Sequence, residues 1–251
     1  VSNQDKDRFS QKALRRLFVL NYAPNGMWTY VTSVYFMQNK DKSNEMDDEK
    51  FCDFLEKITA FIWAYAITNP GVNALRTPVY AEMVNIVNDQ AVEFKDFTFD
   101  KAKMRSMFEN FTFNNIRPVT KSMLAWWAFQ DEEQELIPLE TTLEIEHIYA
   151  RNRYENEKTL SSAKKLELLG NKALLEKRIN IRASDYRFKD KTKYYQGFTN
   201  RLKQQKEGTK NHELLKLAEK ADDFTEQSID ERTQMILDGF IDYLDKNGLI
   251  R

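Results

Sequence analysis

The apolar residues in the first half of the chain recur with the spacing of an α-helix, and this periodicity restricts the first half to a helical fold. Leu14, Leu17, Phe18 and Tyr22 form one such face, because residues three or four positions apart lie on the same side of a helix. Turn signals are scarce, since the 251 residues include only seven Gly and five Pro. We therefore expect a helical bundle from about residue 7 to residue 130.

Capping residues and turn signals predict where the helices of this bundle lie. Asp47 or Asp48 is expected to cap a long helix that runs to Thr68 and ends at Asn69-Pro70-Gly71. The same reasoning predicts further helices at Val72–Asn88, Asp100–Phe111 and Val119–Gln130.

From Ile137 onward the pattern changes from helical spacing to short alternating runs. Leu143–Ile148 alternates between apolar and polar residues, which predicts a short strand. A basic loop from Ala150 to about Ser162 follows, and one or two helical turns then end at Gly170 in a left-handed stop. Lys172–Glu176 reads as a second strand, although its composition alone also allows helix.

The chain then returns to helical patterns. A helix is expected from Ile179 or Ser184 through Tyr195, with Gly197 as its stop. Two tail helices are predicted at Asn211–Ala221 and Ser228–Asn247. The fold class is therefore mainly α with a small α+β element. We expect a helical domain at 1–130, a ββα core at 137–200, and C-terminal helices at 201–251 that pack on this core.

The net charge of −1 conceals a strong asymmetry along the chain. Between His147 and Lys206 there are sixteen Lys or Arg against six Asp or Glu, a local net charge of +10, so the remainder carries −11. Immediately before this segment, residues 131–146 hold seven acids and no base. A concentrated basic segment in a nearly neutral chain indicates a surface that faces a polyanion, although an isolated charge run is more often a solvated helix face.

Cysteine content and hydropathy exclude several classes of protein. A single cysteine, Cys52, excludes an internal disulfide framework and a cysteine-based zinc site, so that oxygen and nitrogen must be the ligands of any metal. The longest largely apolar run, Ile58–Ile67, is half the roughly twenty residues that a bilayer span requires. We expect a cytoplasmic protein without a membrane segment. Because the chain begins at Val1 rather than Met, we expect it to be a piece of a longer polypeptide.

Glu146 and His147 stand side by side at the end of the predicted strand, and Asn171 and Asn180 follow within the basic segment. A neutral imidazole is a natural base near pH 7, and a hard cation such as Mg²⁺ binds carboxylate and amide oxygens. Asn171 would orient the imidazole, and Asn180 would offer its oxygen to the metal. Adjacent residues of a regular strand point to opposite faces, however, so Glu146 and His147 converge only if the strand ends or kinks there. Otherwise Glu144 shares a face with Glu146.

Three segments of the chain resemble the C-terminal nuclease domain of GmrSD-type restriction endonucleases, a family of the HNH (His-Me finger) superfamily. The resemblance is carried by Ile145–Ile148, by Leu169–Leu175 with Asn180, Phe188, Lys191 and Tyr194, and by Phe224–Thr233 in the tail. It covers about residues 137–246, and the helical half resembles the region that precedes this domain in the family.

The resemblance implies a ββα-metal site with one Mg²⁺ or Mn²⁺ ion. His147 would be the general base, Asn171 its orienting residue, and Glu146 and Asn180 the metal ligands. Tyr149-Ala150-Arg151 departs from the Pro and polar residue that often follow in the family, and the last ligand is Asn rather than His. Lys191 would be a phosphate contact, although an ordinary exposed lysine is an equally good interpretation. The residues expected to bind nucleic acid are Lys191, Arg151, Arg153, Lys172, Arg182 and Arg187.

These features predict a metal-dependent DNA endonuclease domain of a restriction or phage-defence system that acts on foreign or modified DNA. The family implies an NTP-using recognition domain or subunit as partner, but this chain has no Gly-x-x-x-x-Gly-Lys phosphate loop. One alternative is a catalytically inactive module of the same fold that only binds nucleic acid. Another is a helical interaction domain that uses its charge asymmetry for protein partners. The second histidine, His212, has no partner or role that the sequence reveals.

Overall fold

The computed structural model describes residues 8–71, 73–220 and 222–251, and α-helices dominate it. The helices are α1 (Gln11–Leu20), α2 (Met27–Asn39), α3 (Asp48–Thr68), α4 (Arg76–Val87), α5 (Lys101–Asn110), α6 (Pro118–Ala128), α7 (Arg151–Glu157), α8 (Lys177–Ala183), α9 (Phe188–Gln196), α10 (His212–Lys220) and α11 (Glu226–Lys246). The strands are β1 (Leu143–His147), β2 (Lys172–Glu176), β3 (Phe198–Thr199) and β4 (Gln205–Lys206). This architecture confirms the predicted class, mainly α with a small α+β element. None of the described helices is long and apolar enough to cross a membrane.

The chain divides into two compact units. Unit 1 comprises Val1–Phe111, Arg117–Ser122 and Leu237–Arg251, and unit 2 comprises Thr112–Ile116 and Met123–Ile236. The division at 1–130, 137–200 and 201–251 that we expect from the sequence stays a prediction about how the chain folds.

Unit 1 contains helices α1 to α5, and its sequence signals lie where the helices begin. Asp47 caps α3 by accepting a hydrogen bond from the Lys50 amide, and Asp100 caps α5 in the same way through the Lys103 amide. Helix α3 is the central element of this unit, since twelve of its side chains are buried, among them Trp63. The predicted start of α4 at Val72 lies outside the described residues.

Unit 2 is built around an antiparallel pair of strands followed directly by a helix. Strands β1 and β2 pair in a regular register from Leu143 opposite Glu176 to His147 opposite Lys172. Helix α8 begins at the residue after β2, so the order strand, long connection, strand, helix agrees with the predicted ββα arrangement. A buried cluster packs this unit, and it comprises Ile148, Tyr149, Leu160, Leu166, Ala173, Leu175, Ile179, Ala183, Phe188, Tyr195, Leu214, Phe224 and Ile229. Burial of such side chains contributes about 1.5–3 kcal/mol each.

Two local predictions in unit 2 are wrong. The segment expected to be a basic loop contains helix α7. Six of its seven residues are polar or charged, and Tyr154 is the other one, so the helix has no apolar periodicity from which it could be predicted. The single helix expected from Ile179 or Ser184 to Tyr195 is two helices, α8 and α9. They separate at Ser184, whose φ of 44° and ψ of −150° are incompatible with a helix. The predicted end of α10 at Ala221 lies outside the described residues.

Gly170 serves a different purpose from the predicted left-handed stop. It lies in a 3₁₀ turn, Leu169–Asn171, and its φ is outside the left-handed region. A Cβ atom at this position would lie 2.7 Å from the amide nitrogen of Thr233, and still closer to the carbonyl oxygen of Ile229 and the hydroxyl of Thr233. Gly170 is therefore required by the close approach of the first turns of α11.

Candidate active site

The two faces of strand β1 carry different chemistry. Because β1 pairs with β2 regularly through His147, Glu144 and Glu146 point to one face and His147 to the other. Glu146 and His147 therefore do not converge, and the predicted set of base and metal ligands is not assembled on one face. The structure agrees with the alternative expected for a regular strand, in which Glu144 and Glu146 lie on the same face.

Glu146 is buried and bound by two groups of helix α9. Its Oε1 atom accepts hydrogen bonds from the Lys191 ammonium at 2.7 Å and from the Tyr195 hydroxyl at 2.7 Å. The same ammonium donates to the carbonyl oxygen of His147 at 2.6 Å. Burial raises the pKa of Glu146, whereas the charge of Lys191 acts in the opposite direction. Lys191 thus fixes the end of β1 by holding both a side chain and a backbone carbonyl.

The prediction that Lys191 contacts phosphate does not hold in this structure. Its side chain is 1% exposed, and the ammonium group is occupied by Glu146 and the His147 carbonyl. A phosphate group from solution does not reach it. A buried cation of this kind is stable only because it is paired and hydrogen-bonded.

Asn180, the second predicted metal ligand, lies on the same face as Glu146 but contacts Glu144. Its Nδ2 atom donates to Glu144 Oε2 at 3.1 Å, and the Lys177 ammonium lies 3.7 Å from Glu144 Oε1. The position of Asn180 on α8, directly after β2, brings it to this face.

His147 faces a charged pocket on the opposite side of β1. Its Nε2 atom lies 3.9 Å from Glu167 Oε1, and the side chain is 13% exposed. The carboxylate of Glu167 binds the Lys172 ammonium at 2.6 Å and the Arg151 guanidinium at 2.7 Å. Nε2 is shielded from solvent, and within the described part of the chain no hydrogen-bond partner lies within reach of it.

The electrostatics of this pocket keep the imidazole neutral. Burial, followed by the positive charges of Lys172 and Arg151, lowers the pKa of His147 to about 4. Burial alone would raise the pKa of Glu167, but Lys172 and Arg151 outweigh it and the pKa is lowered. At pH 7 the pocket therefore holds an uncharged imidazole beside an ionised carboxylate.

Asn171 orients the chain after His147 rather than the imidazole itself. Its Oδ1 atom accepts a hydrogen bond from the Tyr149 amide at 2.7 Å, and its Nδ2 atom donates to the carbonyl oxygens of Tyr149 and Leu166. Its own carbonyl accepts from the Ile148 amide at 2.9 Å. The predicted hydrogen bond to the imidazole is therefore not formed, because the side-chain amide is used by backbone atoms. Asn171 positions His147 indirectly.

The turn that carries Asn171 is clamped by a buried arginine of α11. Arg232 Nη1 donates to the carbonyl oxygens of Leu169, Gly170 and Lys172 at 2.8 to 2.9 Å. Its Nε and Nη2 atoms bind the two carboxylate oxygens of Glu213 at 2.7 and 2.8 Å. The clamp therefore joins three backbone carbonyls of this segment to a single guanidinium group, which is itself fixed by Glu213.

The remaining predicted DNA contacts fall into two groups. Lys172 is buried, and Arg153 is mostly buried and binds both oxygens of Asp223. In this structure both side chains therefore bind internal partners and are not presented to a ligand in solution. Arg151 is 53% exposed and Arg187 is 62% exposed, although each forms one ion pair, with Glu167 and Glu157 respectively. Arg182 is partly buried and donates to the Glu207 carbonyl at 3.0 Å.

A separate group of potential metal ligands involves His212, for which the sequence revealed no partner. Its Nδ1 atom lies 2.9 Å from Asp131 Oδ2 and 3.8 Å from Glu133 Oε2. The spacing of these three residues would allow a metal ion. Lys216 already bridges the two carboxylates, at 2.9 Å from each, and supplies the positive charge that they require.

Sequence reasoning missed Glu167 and Arg232. Glu167 is the carboxylate beside the imidazole, yet it lies in the 3₁₀ segment Ala163–Glu167, twenty residues from His147 and just before the segment Leu169–Leu175 that carries the family resemblance. Arg232 belongs to the tail segment that carries the family resemblance, and this was the one signal that could have drawn attention to it.

Strand β1 thus ends at a mostly buried histidine within a unit of two antiparallel strands followed directly by helix α8. A comparison with protein families matches residues 98–238 to the family described as GmrSD restriction endonucleases, C-terminal domain. The match covers more than half of the chain, and the chain belongs to this family. No significant match was found among curated proteins or among solved structures.

Proposed function

We propose that this chain contains a DNA endonuclease domain of the HNH type, in which His147 accepts the proton of the attacking water. The observation that carries the proposal is the position of His147 at the end of β1, beside Glu167 and inside the segment that matches a restriction endonuclease family. As part of a restriction system the domain would act in the cytoplasm on foreign or modified phage DNA, together with an NTP-using recognition domain or subunit.

The pocket supports this chemistry in two ways. An imidazole with a pKa of about 4 is unprotonated throughout the neutral range, so its nitrogen is free to accept a proton, although it is a weaker base than one whose pKa lies near 7. The buried Nε2 atom has no hydrogen-bond partner among the described residues, so that a polar group or water placed there would be favoured. Arg151 lies at the exposed side of the same pocket and supplies a positive charge for a phosphate.

The family implies a divalent ion, Mg²⁺ or Mn²⁺, held by Glu146 and Asn180. This arrangement does not fit such an ion, because the Lys191 ammonium occupies Glu146 and Asn180 binds Glu144. A cation next to a buried ammonium group would be repelled. We therefore derive no catalytic step through a metal, and metal dependence stays a prediction for experiment.

The same observation favours a second function. If the ligands do not assemble, the domain would bind DNA through its exposed cations without cleaving it, as expected for a catalytically inactive module of this fold. The separation of Glu146 and His147 on opposite faces of β1 is the specific observation in favour of this alternative.

A plasmid cleavage assay separates the two functions. Wild-type protein and His147→Ala are incubated with plasmid and Mg²⁺ or Mn²⁺, with and without EDTA, and His212→Ala serves as the matched histidine control. We expect wild type and His212→Ala to cleave, and His147→Ala to be slower by a factor of about 10² to 10⁴, the usual contribution of a general base. If no protein cleaves the plasmid but all of them retard DNA in a gel, the domain is a catalytically inactive DNA-binding module. Cleavage that persists in EDTA would exclude metal dependence.

A further inference from the structure

The turn between α8 and α9 presents a tyrosine to solvent. Helix α8 ends at Ala183, and Ser184 turns the chain with a φ of 44°, which a non-glycine residue rarely adopts. Tyr186 follows and is 49% exposed, although it lies in a segment whose other aromatic residues, such as Phe188, are buried. An exposed aromatic ring held by a strained turn calls for a role outside the core.

The ring of Tyr186 is held flat by its neighbours. It stacks in parallel on Tyr194, with centroids 6.0 Å apart and an interplanar angle of 9°. Tyr194 in turn meets the ring of Phe198 edge-on at 5.3 Å, and the Lys193 ammonium lies 4.9 Å from the Tyr194 centroid. These contacts fix the orientation of an exposed π surface before any ligand binds, which lowers the entropic cost of stacking.

The surroundings of Tyr186 are positively charged. Residues 177–193 hold seven Lys or Arg against two Asp or Glu. Lys191 is buried against Glu146, but other cations of this segment, such as Arg187, are exposed. The aromatic ring therefore belongs to a segment that attracts a polyanion, which distinguishes it from an apolar patch for a protein partner.

We propose that Tyr186 is a stacking platform for an unpaired nucleobase of the DNA that the domain binds. The proposal rests on the proposed DNA-binding function and extends it to a substrate class, DNA with an unstacked or single-stranded base. Stacking on an aromatic ring is tolerant of base identity, because every base has a π face. The platform would hold the strand while exposed cations such as Arg187 neutralise its phosphates.

The test measures binding without cleavage, in buffer that contains EDTA. A fluorescent single-stranded oligonucleotide and its duplex are titrated with wild type, Tyr186→Ala and Tyr186→Trp. Tyr80→Ala is the matched control, since Tyr80 is 63% exposed and belongs to unit 1. We expect Tyr186→Ala to bind the single strand about tenfold more weakly, a typical loss for one stacked base, and the duplex less than twofold more weakly. Tyr186→Trp and Tyr80→Ala should bind as wild type does.

The outcomes distinguish this proposal from the proposed function. If wild type binds neither oligonucleotide, the DNA-binding function fails and the platform with it. If wild type binds and Tyr186→Ala does not differ from Tyr80→Ala, only the platform is refuted. A loss that is equal for single strand and duplex would also refute it, because the tyrosine would then contribute to DNA binding in general. The salt dependence of binding should be the same in Tyr186→Ala and wild type, because no phosphate contact is removed.

Discussion

Replacement of Gly170 by alanine tests whether the first turns of α11 hold the turn that carries Asn171. The new methyl group would lie 2.7 Å from the Thr233 amide nitrogen, and still closer to the Ile229 carbonyl and the Thr233 hydroxyl. Two of these three atoms belong to the backbone of a helix and do not move by rotating a side chain. The turn and the helix must therefore separate.

The expected loss of stability combines two effects. Overpacking of this kind costs about 1–3 kcal/mol. Separation also breaks the hydrogen bond from the Gly170 amide to Thr233 Oγ1, now 3.1 Å long, for about 1 kcal/mol more. We expect Gly170→Ala to lower the free energy of unfolding by about 3 kcal/mol as the central value of these terms.

Urea denaturation followed by tryptophan fluorescence provides the measurement, since Trp126 and Trp127 both belong to unit 2. Thr233→Val isolates the hydroxyl contribution and should cost about 1 kcal/mol. Gly26→Ala is the matched glycine control, because a Cβ atom there would have no neighbour within 4 Å. It should cost less than about 1 kcal/mol, as expected for a change at a helix N-cap. If Gly170→Ala unfolds like Gly26→Ala, the close approach of α11 is not present in solution.

Three further predictions concern the charged groups around β1. In His212→Ala, which leaves one histidine, the NMR signal of His147 should titrate near pH 4; titration near pH 6.5 would contradict the buried pocket. The pKa of His147 is lower in the folded than in the unfolded protein. Its contribution to the free energy of unfolding should therefore be fully present above about pH 6.5 and should fall by roughly 3 kcal/mol as the pH drops to 4. His147→Ala should lack this contribution in urea titrations at several pH values. Arg232→Met removes the donor of three backbone carbonyls and the counter-ion of Glu213, a partly buried carboxylate that keeps, within the described part of the chain, only the hydrogen bond from the Trp127 indole. It should cost about 3 kcal/mol by urea denaturation, whereas a cost below 1 kcal/mol would show that the clamp contributes little. Lys191→Met should lower the free energy of unfolding by a similar amount, because it leaves Glu146 without its counter-ion. The double variant Glu146→Leu/Lys191→Met should recover most of this loss in thermal denaturation. Strictly additive losses in the two single variants and the double variant would contradict the pairing.

The parts of the fold that follow from local patterns were predictable. Strands β1 and β2 lie within one residue of their predicted bounds, because apolar residues alternate in the first and the turn signal Gly170-Asn171 precedes the second. The caps at Asp47 and Asp100 were likewise readable from the sequence. Helix α7 and the break at Ser184 were not, since the first lacks an apolar stripe and the second is caused by a serine rather than by Gly or Pro.

The site was predictable only in the identity of its central residues. Glu146 and His147 were found, but their partners depend on contacts between residues far apart in the chain. Lys191 lies 45 positions after Glu146. Because it is buried, its ammonium is the counter-ion of Glu146 and is not exposed for contact with a phosphate. A sequence without aligned relatives reveals which residue types are present but not which face of a strand each one meets.

The alternation of β1 imposes a constraint on how this domain tolerates change. If the start of β1 keeps its register, deleting Glu144 or Ile145 would turn each following side chain to the other surface, so Glu146 would leave Lys191 and face the side of β1 that carries Glu167. A change in the length of the connection from Ala150 to Leu168 would not move strand side chains to the other face. Asn171 and Arg232 hold the residues that follow this connection, whatever its length. Natural variation in length should therefore accumulate in that connection and be absent from the five-residue strand.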